Sequence, residues 1–363
     1  MHTGEDQAEP ATAHPRPRRT TLAQVAERAD VSLATASFVL TGRTDQRITE
    51  ETQIRVRAAA DDLGYRPNAA AKTLRTGKSG TIAFVSEYVA STPYATRSIA
   101  GALQAALKHD TLMFVAETLG EPDIERRLLH SMMDRRVDGF VYAAMFTREV
   151  SVPELIRDAP LVLLNCVSPD VDAPMVVPND VAAGRTAAGV LLQAGHRDGI
   201  YYLGVAPRSF RGGPQWAGRL GLAIADRPRG VRAELKSANA TLAGAIPLAD
   251  WEPEYGRAAV HELLASGRVP RALICANDRV ALGAYQALQS AALRIPQDVS
   301  VVSFDDSDLA NGLQPGLSSV ALPHEEMGRL AADLLLSGDG RAGRHLVPMP
   351  LSLRDSIAPP SEA

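Results

Sequence analysis

Residues 21–37 read Thr21-Leu22-Ala23-Gln24-Val25-Ala26-Glu27-Arg28-Ala29-Asp30-Val31-Ser32-Leu33-Ala34-Thr35-Ala36-Ser37. Leu22, Val25, Ala26 and Ala29 recur at the spacing of one helical face, so the pattern predicts a short helix over 22–29 with Thr20 or Thr21 as its N-cap. Asp30-Val31 supplies a turn, and Ser32 caps a second helix over 33–40 that Gly42 ends. A third helix starts after an N-cap at Thr49, carries Ile54, Val56 and Leu63 among its apolar positions, and stops at Gly64. Helix, tight turn and helix fit a helix-turn-helix, whose second helix enters the major groove of DNA. That geometry needs a small residue at Ala26, a tight turn at Asp30, and apolar Val31 and Val39 to lock the helix pair; all are present. A three-helix interaction module without DNA satisfies the same pattern, so composition must help decide.

The chain has 363 residues, 45% of them hydrophobic and 22% charged, with a formal net charge of −4. That balance taken whole speaks against nucleic acid, but the charge is unevenly placed. Residues 16–78 hold 12 Lys/Arg against 7 Asp/Glu, residues 1–15 hold three acids and no base, and residues 79–363 hold 26 basic against 32 acidic residues. A basic head on an acidic body is the pattern of a DNA-binding module joined to something else. Residues 1–19, broken by Pro10, Pro15 and Pro17, read as a disordered leader, either a solvated tail or a phosphate-contacting arm through Arg16, Arg18 and Arg19. They carry no apolar signal-peptide core, and the chain has no apolar run near the ~18 residues that a membrane span needs. Two cysteines, Cys166 and Cys275, sit inside apolar runs, which excludes a disulfide framework and fits a reducing cytoplasm.

Beyond the head, Pro67-Asn68 leads into Ala69-Ala70-Ala71-Lys72-Thr73-Leu74-Arg75, a helix-compatible piece too short to be stable alone in water. Residues 76–80 are a Gly-containing linker. From residue 81 apolar strand-like runs (82–85, 112–116, 139–143, 161–166, 200–203, 273–276, 299–304) alternate with amphipathic stretches (97–108, 123–135, 182–194, 254–266, 279–291). Strands alternating with helices imply parallel sheets covered on both faces. Several such units on either side of about residue 179 suggest two similar lobes, with a ligand cleft between them at the carboxyl ends of the strands.

The stretch 21–37 closely resembles the N-terminal motif of the lactose-repressor (LacI/GalR) family of bacterial transcription regulators. The resemblance continues through Leu63-Gly64-Tyr65-Arg66-Pro67-Asn68, Arg136-Val137-Asp138-Gly139, Ala194-Gly195-His196, Ala276-Asn277-Asp278 and Ile295 to Asp306, and covers nearly the whole chain from residue 20 to Ile357. It implies an N-terminal all-α helix-turn-helix head and an α/β periplasmic-binding-protein-like core of two Rossmann-like lobes with parallel sheets. The corresponding divisions are a leader over 1–19, the head over 20–67, a hinge helix and linker over 68–80, an N-lobe over 81–178 with 321–339, a C-lobe over 179–320 with 340–357, and a tail over 358–363.

The same resemblance implies a homodimer on a double-stranded operator, controlled by a small-molecule effector, plausibly a sugar or related metabolite, and needing no cofactor or metal. The DNA-contacting positions are Thr21, Leu22, Ser32, Leu33, Ala34, Thr35, Ser37, Phe38 and Thr41 in the head, and Asn68, Ala71, Lys72 and Leu74 in the hinge. Leu74 matches the leucine that wedges between central base steps. Leu33, Ala34 and Phe38 stand where base-reading side chains often occur; being apolar, they suit thymine methyls and make no bidentate hydrogen bonds. Phe38 has packing into the helix pair as its alternative role. The effector positions are Tyr94, Gln215, Trp216, Asn277 and Asp305. Asp305 directly follows a strand, where its carboxylate suits vicinal hydroxyls or an amine. Asn277 has helix capping as its plain alternative, and Gln215 stands where many members carry an effector-gripping arginine. Leu322 also stands where a polar contact can occur.

Two other classes compete. A solute-binding protein without DNA function predicts a signal peptide and no basic head. An enzyme predicts a catalytic constellation, and none of the usual motifs is present: no H-E-x-x-H, no G-x-S-x-G and no phosphate-binding loop. Asp305-Asp306 makes a poor acid/base pair because neighbouring strand residues point to opposite faces. His196, following Gly195 at a helix end, suits a cationic or capping role. The sequence reading is therefore a cytoplasmic, non-enzymatic, non-membrane regulator. The absence of a leucine heptad near residue 357 favours a dimer over a tetramer.

Overall fold

The protein's architecture, taken from a computed structural model, is described for residues 20–40, 48–66, 73, 77–93, 95–205 and 221–360. The chain divides into two compact units, Met1–Ser79 and Gly80–Ala363. The first contains α1 (Leu22–Arg28), α2 (Leu33–Leu40) and α3 (Glu50–Asp62). Each begins as its cap dictates. Thr21 and Gln24 form a reciprocal capping box on α1. Ser32 Oγ accepts from Thr35 N at 3.1 Å, and Thr49 Oγ1 accepts from Thr52 N. Asp30, at φ 51, makes the turn between α1 and α2, and Val31 N donates back to Ala26 O.

The core of this unit is Val25, Ala26, Ala29, Ala36, Val39, Val56, Ala59 and Ala60, mostly alanines, so the three helices approach closely around little volume. Arg55 Nε donates to Ala29 O at 2.8 Å and Thr20 Oγ1 to Leu63 O at 2.9 Å, satisfying carbonyls at two helix ends. Ile54 is not part of this core; its face of α3 is turned to solvent.

The second unit holds two sheets. The first consists of β1 (Thr81–Ser86), β2 (Leu112–Glu117), β3 (Phe140–Glu149), β4 (Leu161–Val167), β5 (Pro174–Pro178) and β11 (Gly343–Val347), in the order β11-β5-β4-β3-β1-β2. The second consists of β6 (Ile200–Val205), β7 (Gly244–Pro247), β8 (Ala272–Cys275), β9 (Ser300–Asp305), β10 (Ser318–Ala321) and β12 (Leu351–Ser352), in the order β12-β10-β9-β8-β6-β7. All neighbours are parallel except β10 and β12. Both faces of each sheet are covered. On β1, Ile82 and Phe84 pack with α4 (Thr96–Lys108) and α10 (His324–Ser337), while Ala83 and Val85 pack on the side of α5 (Pro122–Asp134). In the second lobe, Ile200 and Tyr202 face α6 (Asp180–Gln193) and α7 (Ala223–Ser237). Tyr201 and Leu203 face α8 (Pro253–Ala265) and α9 (Asp278–Ser290). Two-sided burial is why these strands read as unbroken apolar runs.

Among the described residues the chain passes between the lobes three times: after β5, after β10 and after β11. This corrects one expected boundary. Residues 343–347 form β11 and pair with β5 of the first sheet, so the span 340–357 does not lie wholly in the C-lobe; only its later part, with β12, joins the second sheet. Local sequence carries no trace of which sheet a short late strand joins.

Candidate functional site

In the head the start of α2 is exposed. Leu33 is 54% exposed and Ala34 is exposed beside it, while Ala36 and Val39 on the opposite side are buried. The sequence-assigned residues thus sort by role. Thr21 and Ser32 cap their helices, and Ser32 Oγ also lies 2.8 Å from Thr35 Oγ1. Leu22 is half-buried against the core. Ser37 and Phe38 are half-buried. Thr41, Asn68, Ala71, Lys72 and Leu74 lie outside the described residues.

In the second unit the polar centre lies where the second sheet's strands end. Asp305 closes β9 at φ 98, and Asn277 follows β8. Asn277 caps α9: its Oδ1 accepts from Val280 N at 2.8 Å, and its Nδ2 donates to Trp251 O at 3.2 Å. Tyr94, Gln215 and Trp216 lie outside the described residues.

An arginine nevertheless stands at the middle of this lobe. Arg227 of α7 has a side chain only 4% exposed. Its Nε donates to Asp180 Oδ1 at 2.8 Å, and its Nη1 donates to Ala276 O at 2.7 Å and Asp305 Oδ1 at 3.2 Å. The guanidinium lies 4.7 Å from the Phe304 ring centroid and 5.7 Å from that of Trp251, whose Nε1 donates to Gly204 O. Burial works against the cation, but the carboxylates of Asp180 and Asp305 outweigh it and hold Arg227 charged. Burial also pushes the Asp180 carboxyl upward.

The backbone explains the placement. At the crossing of α6 and α7, a Cβ on Gly184 would lie 2.1 Å from Arg227 O, and one on Gly230 would lie 2.0 Å from Val181 O. Only glycines let α7 come close enough for Arg227 to reach Asp180 and Asp305. The signal missed in the sequence was Arg227-Pro228-Arg229-Gly230, an arginine three residues before a packing glycine.

Two carboxyls share the one arginine, and burial pushes that of Asp305 upward as well. Asp305 is the more open of the two, its side chain 22% exposed. It faces a cavity of about 290 Å³ whose wall includes Pro93 and Arg97 of the first lobe, Ser307 of the second, and Leu322 and His324 at the crossover. Such an edge accepts hydrogen bonds from hydroxyls or an amine. His324 is buried and held neutral, its pKa pushed down to about 4 by burial and by Arg97 and Arg227.

On the first lobe, Glu87 is ion-paired with Arg148 and accepts from Met145 N. Asn165 accepts from Thr147 Oγ1 and donates to the carbonyls of Ala144 and Met145. The lobes meet where Leu222 N donates to Thr147 O at 2.6 Å, just before α7. Asp306 turns away from Asp305, bonding Ser352 Oγ at 2.6 Å and Arg354 Nη2 at 2.7 Å, so the two carboxylates serve different partners. Of the two roles expected for His196, cationic or capping, burial works against the first. Burial lowers its pKa, and its Nε2 lies 3.0 Å from both Ser300 Oγ and Ala358 O, fastening the C-terminal strap.

Residues 21–68 match the family described as bacterial regulatory proteins, lacI family, and residues 188–357 match the periplasmic binding protein-like domain. The chain is 30% identical over 318 residues to the ribose operon repressor of Haemophilus influenzae, covering 87% of this chain and 91% of that one. Among solved structures it is similar to the Lac repressor dimer bound to operator and the anti-inducer ONPF. That match has a TM-score of 0.72 and 22% identity, and covers 94% of this chain and 100% of that one, a likeness of fold. It is also similar to the transcriptional regulator CelR in complex with cellobiose, with a TM-score of 0.61 and 26% identity over 93% of this chain and 100% of that one.

Proposed function

The chain belongs to the LacI family of bacterial regulatory proteins, and on that premise we propose that it is a transcriptional repressor. In this reading two helix-turn-helix heads of a homodimer grip a near-palindromic operator, and a sugar-class effector in the inter-lobe cleft sets the grip. Members of the family are regulators rather than enzymes, and this chain acts by stoichiometric binding. No helix among the described residues is long and apolar enough to cross a membrane, which suits a repressor working in the cytoplasm.

The observation that carries the reading is the exposed α2 with Leu33 and Ala34 at its start, on the same chain as the Arg227–Asp305 centre. Leu33, Ala34 and Phe38 touch thymine methyls. Ser32 and Thr35 position the helix on phosphates, Thr21, Leu22, Ser37 and Thr41 lie against the same duplex, and Asn68, Ala71, Lys72 and Leu74 act in the minor groove. Asp305 and Arg227 bind effector hydroxyls, with Asn277 as an organising cap beside them. Tyr94, Gln215 and Trp216 complete the pocket. The effector shifts DNA affinity only by binding the grip and release states unequally.

The second copy docks on the first lobe's open face. Leu103 and Leu107 of α4 and Leu112, Phe114 and Val115 of the edge strand β2 are all exposed there. Enrichment of a randomised duplex pool by the purified chain is the test. The expected outcome is a near-palindromic site whose affinity falls steeply with salt and responds to D-ribose, cellobiose or another sugar in a panel. No enrichment of any site overturns the reading.

A further inference from the structure

Asp278 is a buried carboxylate, 1% exposed, that no arginine or lysine among the described residues neutralises. It sits at the first position of α9, where the helix N-terminus favours an anion. Its hydrogen bonds run to one place. Oδ1 accepts from the hydroxyls of Ser303 and Ser319; Oδ2 accepts from Ser307 N at 2.7 Å and Ser307 Oγ at 2.8 Å. Ser319 Oγ in turn accepts from Asp306 N at 2.9 Å. Asp278 thus grips the turn at two successive residues, through Ser319 at Asp306 and directly at Ser307.

That segment needs holding. Asp305 and Asp306 have φ of 98 and 49, two consecutive non-glycine residues in the left-handed region, a conformation that persists only where its surroundings impose it. The turn is what separates the two carboxylates, sending Asp305 to Arg227 and Asp306 to Ser352 and Arg354. Leu322 N at the crossover donates to Asp305 O at 3.2 Å.

We propose that Asp278 is the positioning residue of the cleft: through Ser307 and Ser319 it holds the turn that aims the Asp305 carboxylate at Arg227 and the cavity. The inference rests on the cavity being the effector site, but the positioning itself is tested without any effector. A burial-driven rise of its pKa to about 6 agrees with a carboxylate kept in place for its acceptor oxygens rather than for its own solvation.

The experiment is amide hydrogen exchange on the full chain, resolved at Asp306 and Ser307, with Val302 and Phe304 of β9 as internal reference. Asp278→Leu keeps the side-chain shape but removes both acceptor oxygens, so Ser307 N and the Ser319 hydroxyl lose their acceptor. Exchange at Ser307 and Asp306 is expected to accelerate about tenfold or more, with the reference amides changed less than about twofold. Asp278→Glu, which keeps a carboxylate but displaces it, is expected to accelerate the same two amides and decides the matter if Asp278→Leu does not fold. Equal acceleration at all four amides, or none at Ser307 and Asp306 in the variant that folds, overturns the positioning role. Calorimetric titration with D-ribose and cellobiose forms the second arm. Where the parent chain binds one, Asp278→Leu is expected to weaken it about tenfold. Failure of the parent chain to bind either sugar counts against the sugar reading, while the exchange result still decides Asp278.

Discussion

The two lobes share one strand order and differ in what they attach to it. Each sheet runs sixth-fifth-fourth-third-first-second by strand within its own lobe. At the carboxyl ends of its strands the second lobe concentrates buried charge: Arg227 between two carboxylates and two aromatic rings, with Asp278 behind the Asp305 turn. The first lobe has there a half-buried Glu87–Arg148 pair and the inward-bonded Asn165. At the outer edge the contrast reverses. Strand β2 leaves Leu112, Phe114 and Val115 exposed, whereas β7 of the second lobe is the short Gly244–Pro247 with no large exposed hydrophobic side chain. Topology fixes where strand ends and edges lie; the side chains placed there decide what each can bind, and the proposed function assigns the charged centre to a small polar molecule and the apolar edge to a second copy.

The sharpest way to break this contrast is to remove Arg227. Arg227→Met keeps most of the volume but leaves Asp180 and Asp305 buried side by side without a cation. The expected cost is about 3–5 kcal/mol in urea unfolding of the second unit. Adding Asp180→Asn to the same chain is expected to recover a substantial part of that loss, since one of the stranded charges is gone. A loss below about 1 kcal/mol, or no recovery in the double variant, shows that the charged centre is not what orders this lobe.

A smaller effect separates the lobes by pH. Asp278 has a folded pKa of about 6 against an ordinary value near 3.8, raised chiefly by burial. The folded state therefore takes up this proton before the unfolded state does. Its contribution is fully present below about pH 4 and is lost as pH rises through 6, amounting to about 3 kcal/mol across that window. The stability of the parent chain minus that of Asp278→Asn is expected to fall by that order between pH 4 and 7, measured by urea midpoints. A flat difference refutes the uncompensated carboxylate. The same comparison on a first-lobe acid such as Glu87, paired with Arg148, supplies the reference.

Much of this was legible in the chain, and what was not has a physical reason. The head's helices follow from their caps, and the long strands from apolar runs that two-sided burial requires. The short strands β5, β7, β10, β11 and β12 carry too few residues to show a period, and β11 joins the first sheet by a crossing that no local pattern encodes. The apolar run 299–304 puts Asp305 at a strand end, and in the structure it closes β9 and lines a cavity. Arg227 carries little local signal, because an arginine on a helix that contains Pro228 ordinarily points to solvent; the paired glycines at 184 and 230 bring it inside. His196 was read from its helix-end position, but the C-terminal strap that buries it comes from more than 150 residues away.

The gentlest perturbation tests the other half of the comparison. Leu107 and Phe114 are 65% and 43% exposed, so lysine at either position loses little packing within one chain. The double variant Leu107→Lys, Phe114→Lys is expected to change the unfolding free energy of the isolated chain by no more than about 0.5 kcal/mol. In a dimer the same face is desolvated, and two uncompensated ammonium groups per copy then oppose association. Sedimentation at micromolar concentration is expected to show a dimer for the parent chain and a monomer for the variant. Val269→Lys, a 58% exposed position on the second lobe, is the matched control and is expected to leave the dimer intact. If both variants dissociate alike, added charge rather than the identity of the face is responsible, and β2 and α4 lose their claim to be the partner surface. If only the first dissociates, the exposed edge of β2 differs from that of β7 because a second copy covers it.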